Sequence, residues 1–299
     1  MSRRRPPRLL LIGGAIVAGL VLGVGLDIAR IGGVDAWLAG GDSHPGPTYD
    51  ARGRTVAVDG RAVYLDCRGS GSPTIVLEAG YGGGADGWGT LIDGLAAVSR
   101  TCAWDRPGIG RSTPRGLHSA GQAVDDLRAA LAAAGEHGPF VAVAHSLGGI
   151  YARLFASGPG DPVAGLVMLD TYEPDLGMAT DPALDPAFRR EIQQSLDDGA
   201  AIFLAGEDLD WPATLAELAS RSAPGTRPPT LLLYVDPHAR YHDADATRLE
   251  GKIDAWWRAI RARYPEGEVE IVPNAGHFIH LDQPQLVIDR VRAMVLRFR

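Results

Sequence analysis

The sequence predicts an α/β domain, a mostly parallel sheet flanked by helices on both faces. Two observations predict it. From residue 54 onward, short apolar runs alternate with segments whose apolar residues recur at helical spacing, an order that requires crossover helices on the sheet faces. The composition agrees: among 299 residues, 45% are apolar and 22% charged, the balance of a folded globular chain.

Taken in order, residues 55–58 and 62–67 are strands joined at Asp59-Gly60, a hairpin signal. Residues 74–78 (TIVLE) form a β-rich run that ends in a glycine loop. Helical spacing follows over 88–98, then a strand over 101–104 and the turn Asp105-Arg106-Pro107-Gly108. Residues 121–134 are an Ala/Leu helix stopped by Gly135. Residues 140–144 form a strand, 146–156 a helix and 163–169 a strand. Strands at 230–235 and 269–272 and helices at 243–263 and 285–298 complete the alternation. Ligands of such sheets bind at the carboxyl ends of the strands. Residues 171–229 interrupt the pattern with two helical stretches, 187–196 and 211–221, and predict a small helical cap over those strand ends. The plainer alternative, a solvated loop, is uncommon at that length.

The N-terminus reads as an address. Residues 1–8 hold four arginines and no acid, and residues 9–26 carry no charge. Eighteen helical residues cover about 27 Å, nearly the hydrocarbon thickness of a bilayer. A cleaved signal has an apolar core of about 7–15 residues and a small-x-small site. The stretch is longer and no Ala-x-Ala follows it, so an uncleaved cell-membrane anchor is favoured over a cleaved signal and over a buried core helix. The arginines belong on the cytoplasmic side, which places the remainder outside the cytoplasm, or secreted if the segment is cleaved. Residues 27–51 read as a linker and 52–299 as the folded domain.

The net charge is −7, and beyond residue 8 the chain carries 25 basic residues against 36 acidic. That balance disfavours nucleic acid as a partner. Two cysteines, Cys67 and Cys102, are too few for a disulfide framework or a four-cysteine zinc site. The glycines at 82–84 lack the Lys-Ser/Thr of a phosphate-binding loop, so no cofactor and no metal are expected.

Chemistry concentrates in two segments. Ala144-His145-Ser146-Leu147-Gly148-Gly149 joins a predicted strand to a predicted helix. A serine at such a turn is pushed into the open and sits at a helix N-terminus, which favours a developing oxyanion. The pattern G-x-S-x-G has alanine at its first glycine here. Asn274-Ala275-Gly276-His277-Phe278-Ile279-His280 follows the last predicted strand and supplies the base that a serine nucleophile needs. His277 is the first choice. His280 reads as structural or pocket-lining, and the side chain of His145 is expected to turn away from the serine hydroxyl.

These motifs, with DRPGIGRS at 105–112, EAGYGGG at 78–84 and GHFIHLDQP at 276–284, resemble the α/β-hydrolase-fold serine hydrolases over residues 54–299. Many relatives carry His-Gly in the glycine loop, where this chain has Ala79-Gly80. The resemblance implies a catalytic Ser146, His277 and an aspartate, with an oxyanion hole formed by the backbone N–H groups of Leu147 and Tyr81. The acid is Asp170, at the end of LVMLD, with Asp236 and Asp243 as alternatives. The implied activity is hydrolysis of a small-molecule ester through an acyl-enzyme. Proline-specific aminopeptidase, lactonase, C–C hydrolase and cofactor-free haloperoxidase chemistries share the fold, and a membrane-tethered binding module without catalysis is the reading from another class. The oligomeric state stays open. In the family sheet the second and fourth strands are neighbours. Cys67 and Cys102 fall on them, so a disulfide is expected over two buried thiols, although strands taken as parallel leave the two positions out of level.

Overall fold

The computed structural model describes residues 51–158, 160, 162–221, 228–240 and 246–299. Eight strands form one sheet: β1 (Arg54–Val58), β2 (Arg61–Arg68), β3 (Thr74–Glu78), β4 (Thr101–Trp104), β5 (Phe140–His145), β6 (Val163–Leu169), β7 (Thr230–Tyr234) and β8 (Glu268–Ile271). Their spatial order is β1-β2-β4-β3-β5-β6-β7-β8. Every pair from β4 to β8 is parallel, while β1–β2 and β2–β4 are antiparallel. The helices are α1 (Leu91–Ala96), α2 (Ala120–Ala134), α3 (Gly148–Ser157), α4 (Pro186–Glu207), α5 (Trp211–Arg221), α6 (Ala246–Arg263) and α7 (Pro284–Leu296).

The two-residue period of the strands builds two cores. Val76, Ala142 and Ala144 face one side with Leu127, Leu131 and Tyr151 of α2 and α3. Ile75, Leu77, Val141 and Val143 face the other with Leu91 and Leu95 of α1 and Val287 and Val291 of α7. Helix α2 starts where the sequence directs: the Ser119 side chain accepts from Gln122 N while Gln122 returns the bond to Ser119 N, and Gly135 closes the far end in a left-handed conformation.

Four expectations change. The helix read over 88–98 is a 3₁₀ turn, Ala85–Trp88, followed by the shorter α1, because Gly89 between them has φ +49°. The cap helix read over 187–196 runs on to Glu207, through Gly199 and Gly206. A short helix, Ile279–Asp282, precedes α7. Strand β2 runs antiparallel to β4, not parallel, and this brings Cys67 directly opposite Cys102, where they form a disulfide. No helix among the described residues is long and apolar enough to cross a membrane. The predicted anchor at 9–26, the linker up to residue 50 and Asp243 lie outside the described residues.

Candidate active site

The turn after β5 is built by close approach. A Cβ on Gly148 would collide with the Glu78 carbonyl oxygen at the end of β3. One on Gly80 would lie 2.9 Å from His145 Nδ1 and 3.2 Å from Ser146 Cβ. The glycine loop therefore lies against the β5–α3 turn because neither residue carries a side chain there. Ala144, in place of the family glycine, remains within β5 and is fully buried.

Ser146 has φ +52°, a left-handed conformation that a residue with a Cβ adopts at a cost of about 1–3 kcal/mol. Its backbone is over-determined: Ser146 N donates to Leu169 O at 3.2 Å, and Tyr172 N donates to Ser146 O at 3.0 Å. The turn thus hangs on the end of β6 and on the loop that follows it, and the serine itself remains partly exposed.

Asp170 also has a positive φ, +45°, just past β6. Its N–H donates to Leu233 O at 2.7 Å, and Val235 N approaches its Oδ1 at 3.4 Å. The other oxygen, Oδ2, accepts from His277 Nδ1 at 2.7 Å, and both side chains are buried. The structure therefore brings together Asp170 and His277, which stand 107 residues apart. With the proton on Nδ1, the imidazole presents its lone pair at Nε2. That atom is buried and has no hydrogen-bond partner among the described residues. Asp236 is exposed and accepts from His238 N at 2.9 Å, so its carboxylate caps its own loop instead.

The loop carrying His277 is held from beneath. His145 Nε2 donates to His277 O at 2.9 Å, and its ring lies 4.6 Å from the rings of both His277 and His280. Burial, then the neighbouring histidines, pushes the His145 pKa well below its ordinary value. His280 packs on Trp88, and burial pushes it down to about 3. Both are neutral scaffolding imidazoles at neutral pH, which agrees with the structural role read for His280.

Three residues escaped the sequence reading. Arg106, in the turn after β4, is 1% exposed and donates to Ala79 O and Gly80 O at 2.6 Å each. Glu207, the last residue of α4, takes its Nε and Nη2 at 2.9 and 2.7 Å. Burial works against the arginine charge, but the Glu207 carboxylate holds its pKa above the ordinary value. Glu78, at the end of β3, is fully buried and accepts from Trp104 Nε1 at 3.0 Å. Burial pushes its pKa up to about 7. Arg106 and Glu78 lay within quoted motifs but carried no assigned role; no local pattern marks Glu207.

A family model described as "Alpha/beta hydrolase family" matches residues 75–290. The chain belongs to the alpha/beta hydrolase family. The uncharacterized protein YqjL of Bacillus subtilis is 28% identical over 241 residues, covering 78% of this chain and 88% of that protein. Carboxylesterase CesB of Bacillus subtilis superposes with a TM-score of 0.57 at 20% identity, over 84% of this chain and 94% of CesB. Haloalkane dehalogenase DatA of Agrobacterium tumefaciens gives 0.56 at 18% identity, over 83% and 97%. At these identities the solved structures establish the fold, and the family membership makes the chain a hydrolase-family protein.

Proposed function

We propose that the chain is a serine hydrolase that cleaves small-molecule carboxylic esters through an acyl-enzyme. The observation that carries this reading is the buried Asp170–His277 pair, with a bare Nε2, at the same strand ends as the strained Ser146. Asp170 holds the imidazole with its proton on Nδ1. Nε2 takes the Ser146 hydroxyl proton as Oγ bonds to the substrate carbonyl carbon, and the carbonyl electron pair moves onto oxygen. The backbone N–H groups of Leu147 and Tyr81 receive that oxyanion, each well-aimed donor contributing about 3–4 kcal/mol. Collapse expels the alcohol, which takes the proton from His277. Water, deprotonated by the same imidazole, then attacks the acyl group and releases the acid. The serine at the elbow separates this chemistry from that of hydrolase-fold enzymes that use an aspartate there.

A fluorophosphonate probe tests it. The wild type is expected to be labelled at Ser146 and to hydrolyse p-nitrophenyl esters of some chain length, while Ser146→Ala and His277→Ala stay folded and lose both properties. Retention of most activity by either variant sinks the assignment.

We also propose that residues 9–26 anchor the chain in the cell membrane with the domain outside the cytoplasm. The arginine block ahead of an uncharged apolar stretch supports this. The domain is expected to be digested by protease added to intact cells. A mature chain lacking the segment points to a cleaved signal instead.

A further inference from the structure

We propose that the cap completes the oxyanion hole: Glu207 and Arg106 are positioning residues that aim the Tyr81 N–H. The proposal rests on the ester-hydrolase reading above and assigns a task to the cap within it.

The carbonyl of Gly80 and the N–H of Tyr81 belong to one trans peptide, so they point in opposite directions. Arg106 Nη2 holds Gly80 O at 2.6 Å, and its Nη1 holds Ala79 O at 2.6 Å. Fixing the carbonyl therefore fixes where the N–H points. Within the loop, Gly80 O also accepts from Gly83 N at 3.1 Å; because glycine at position 80 restricts the plane little, Arg106 adds a second restraint from outside the loop.

The restraint is anchored in the cap. Glu207 grips the guanidinium with both oxygens, and its Oε1 also accepts from Gly82 N at 2.7 Å. Carbonyls before Tyr81 and the amide after it are thus tied to one buried ion pair. Tyr151 supports the pair from α3, with its ring 4.8 Å from the guanidinium and its hydroxyl donating to Glu207 Oε2 at 3.4 Å. The Tyr81 side chain is seated on the same helix. A Cβ at Gly206 would run into the Tyr81 hydroxyl, which donates to Ile202 O at 3.2 Å, and Phe203 packs beside its ring. Every one of these cap contacts comes from the last turns of α4. Lifting that end removes the counter-charge of a buried arginine and the partner of Gly82 N together.

The test compares Glu207→Gln and Gly206→Ala with the full-length wild type and with Glu191→Gln, which breaks the ion pair between Glu191 near the start of α4 and Lys252 of α6. Two quantities are read: kcat and KM on a p-nitrophenyl ester, normalised to fluorophosphonate-titrated sites, and amide hydrogen exchange of the peptide spanning residues 79–83. Loss of one aimed donor costs up to about 10²–10³ in kcat, so partial misaiming is expected to lower kcat roughly 10- to 100-fold with KM little changed. Exchange over 79–83 is expected to accelerate in both cap-end variants and to stay at wild type in Glu191→Gln. Normalisation removes any fall due only to unfolded protein. Unchanged kcat and exchange in Glu207→Gln overturn the proposal, as does an equal fall in Glu191→Gln. A wild type that hydrolyses no ester refutes the ester reading, and the exchange arm still decides whether Glu207 holds the loop.

Discussion

Glu78→Gln is expected to make the protein more stable in mild alkali while changing little in mild acid. Around Arg106 lie two buried carboxylates, Glu207 in direct contact and Glu78 close enough to feel its charge, with Tyr151 beside them. One cation balances one anion. A neutral Glu78, accepting from Trp104 Nε1, leaves the cluster balanced, whereas an ionised Glu78 adds a buried negative charge without its own cation. Burial accordingly raises its pKa from 4.5 to about 7. A raised carboxyl binds its proton more tightly in the folded state, so stability falls as pH rises from the unfolded value toward the folded one and levels off above it. Integrated between about pH 5 and pH 8, the shift corresponds to roughly 2–3 kcal/mol. Glutamine keeps an acceptor for Trp104 and cannot ionise. Urea unfolding followed by tryptophan fluorescence at several pH values is expected to show the variant gaining on the wild type by about that amount across this window. Parallel profiles for the two proteins would refute the reasoning.

Asp170→Asn is expected to lower ester turnover by up to about 10⁴, because the imidazole is then held in the wrong tautomer, while Asp236→Asn stays near wild type; steady-state kinetics of the two variants checks this. Replacing Cys67 and Cys102 together by serine is expected to cost about 3–4 kcal/mol for a closed loop of 35 residues, read as a lower urea midpoint, and an unchanged midpoint speaks against it. His145 and His280, both pushed down by burial, favour folding above the unfolded histidine value of about 6.5, and that contribution is lost as pH falls below it. His280→Gln is therefore expected to flatten the acid side of the stability profile.

The parts of the fold legible in the sequence are those set by local pattern. Strands β3, β4 and β6 have the predicted bounds because each is a short apolar run closed by turn chemistry. Local pattern also places the elbow with Ser146 after β5 and the loop with His277 after β8, and the structure joins His277 to Asp170 at the end of β6. The direction of β2 against β4 was not legible, since nothing local encodes a long-range pairing. The predicted stretch of α4 stops at residue 196, short of Gly199 and Gly206, and the missing side chain of Gly206 serves Tyr81 rather than helix termination. The Arg106–Glu207 pair joins residues 101 apart and leaves no periodic trace.

The order in which the site's parts occur along the chain has its own consequence. Ser146 and Asp170 sit beside the middle strands, whereas His277 follows the edge strand β8, and its carbonyl is held by His145 from 132 residues upstream. A nascent chain can close the sheet from β1 to β6 while the imidazole is still unsynthesised. Such an intermediate carries Ser146 and Asp170 but not His277. On the proposed mechanism, hydrolytic competence is then the last property the molecule acquires, and it reports that the C-terminal edge has docked. On that mechanism, opening of β8 alone is expected to switch turnover off while the centre of the sheet remains intact, so loss of activity on heating is expected to precede loss of the central strands.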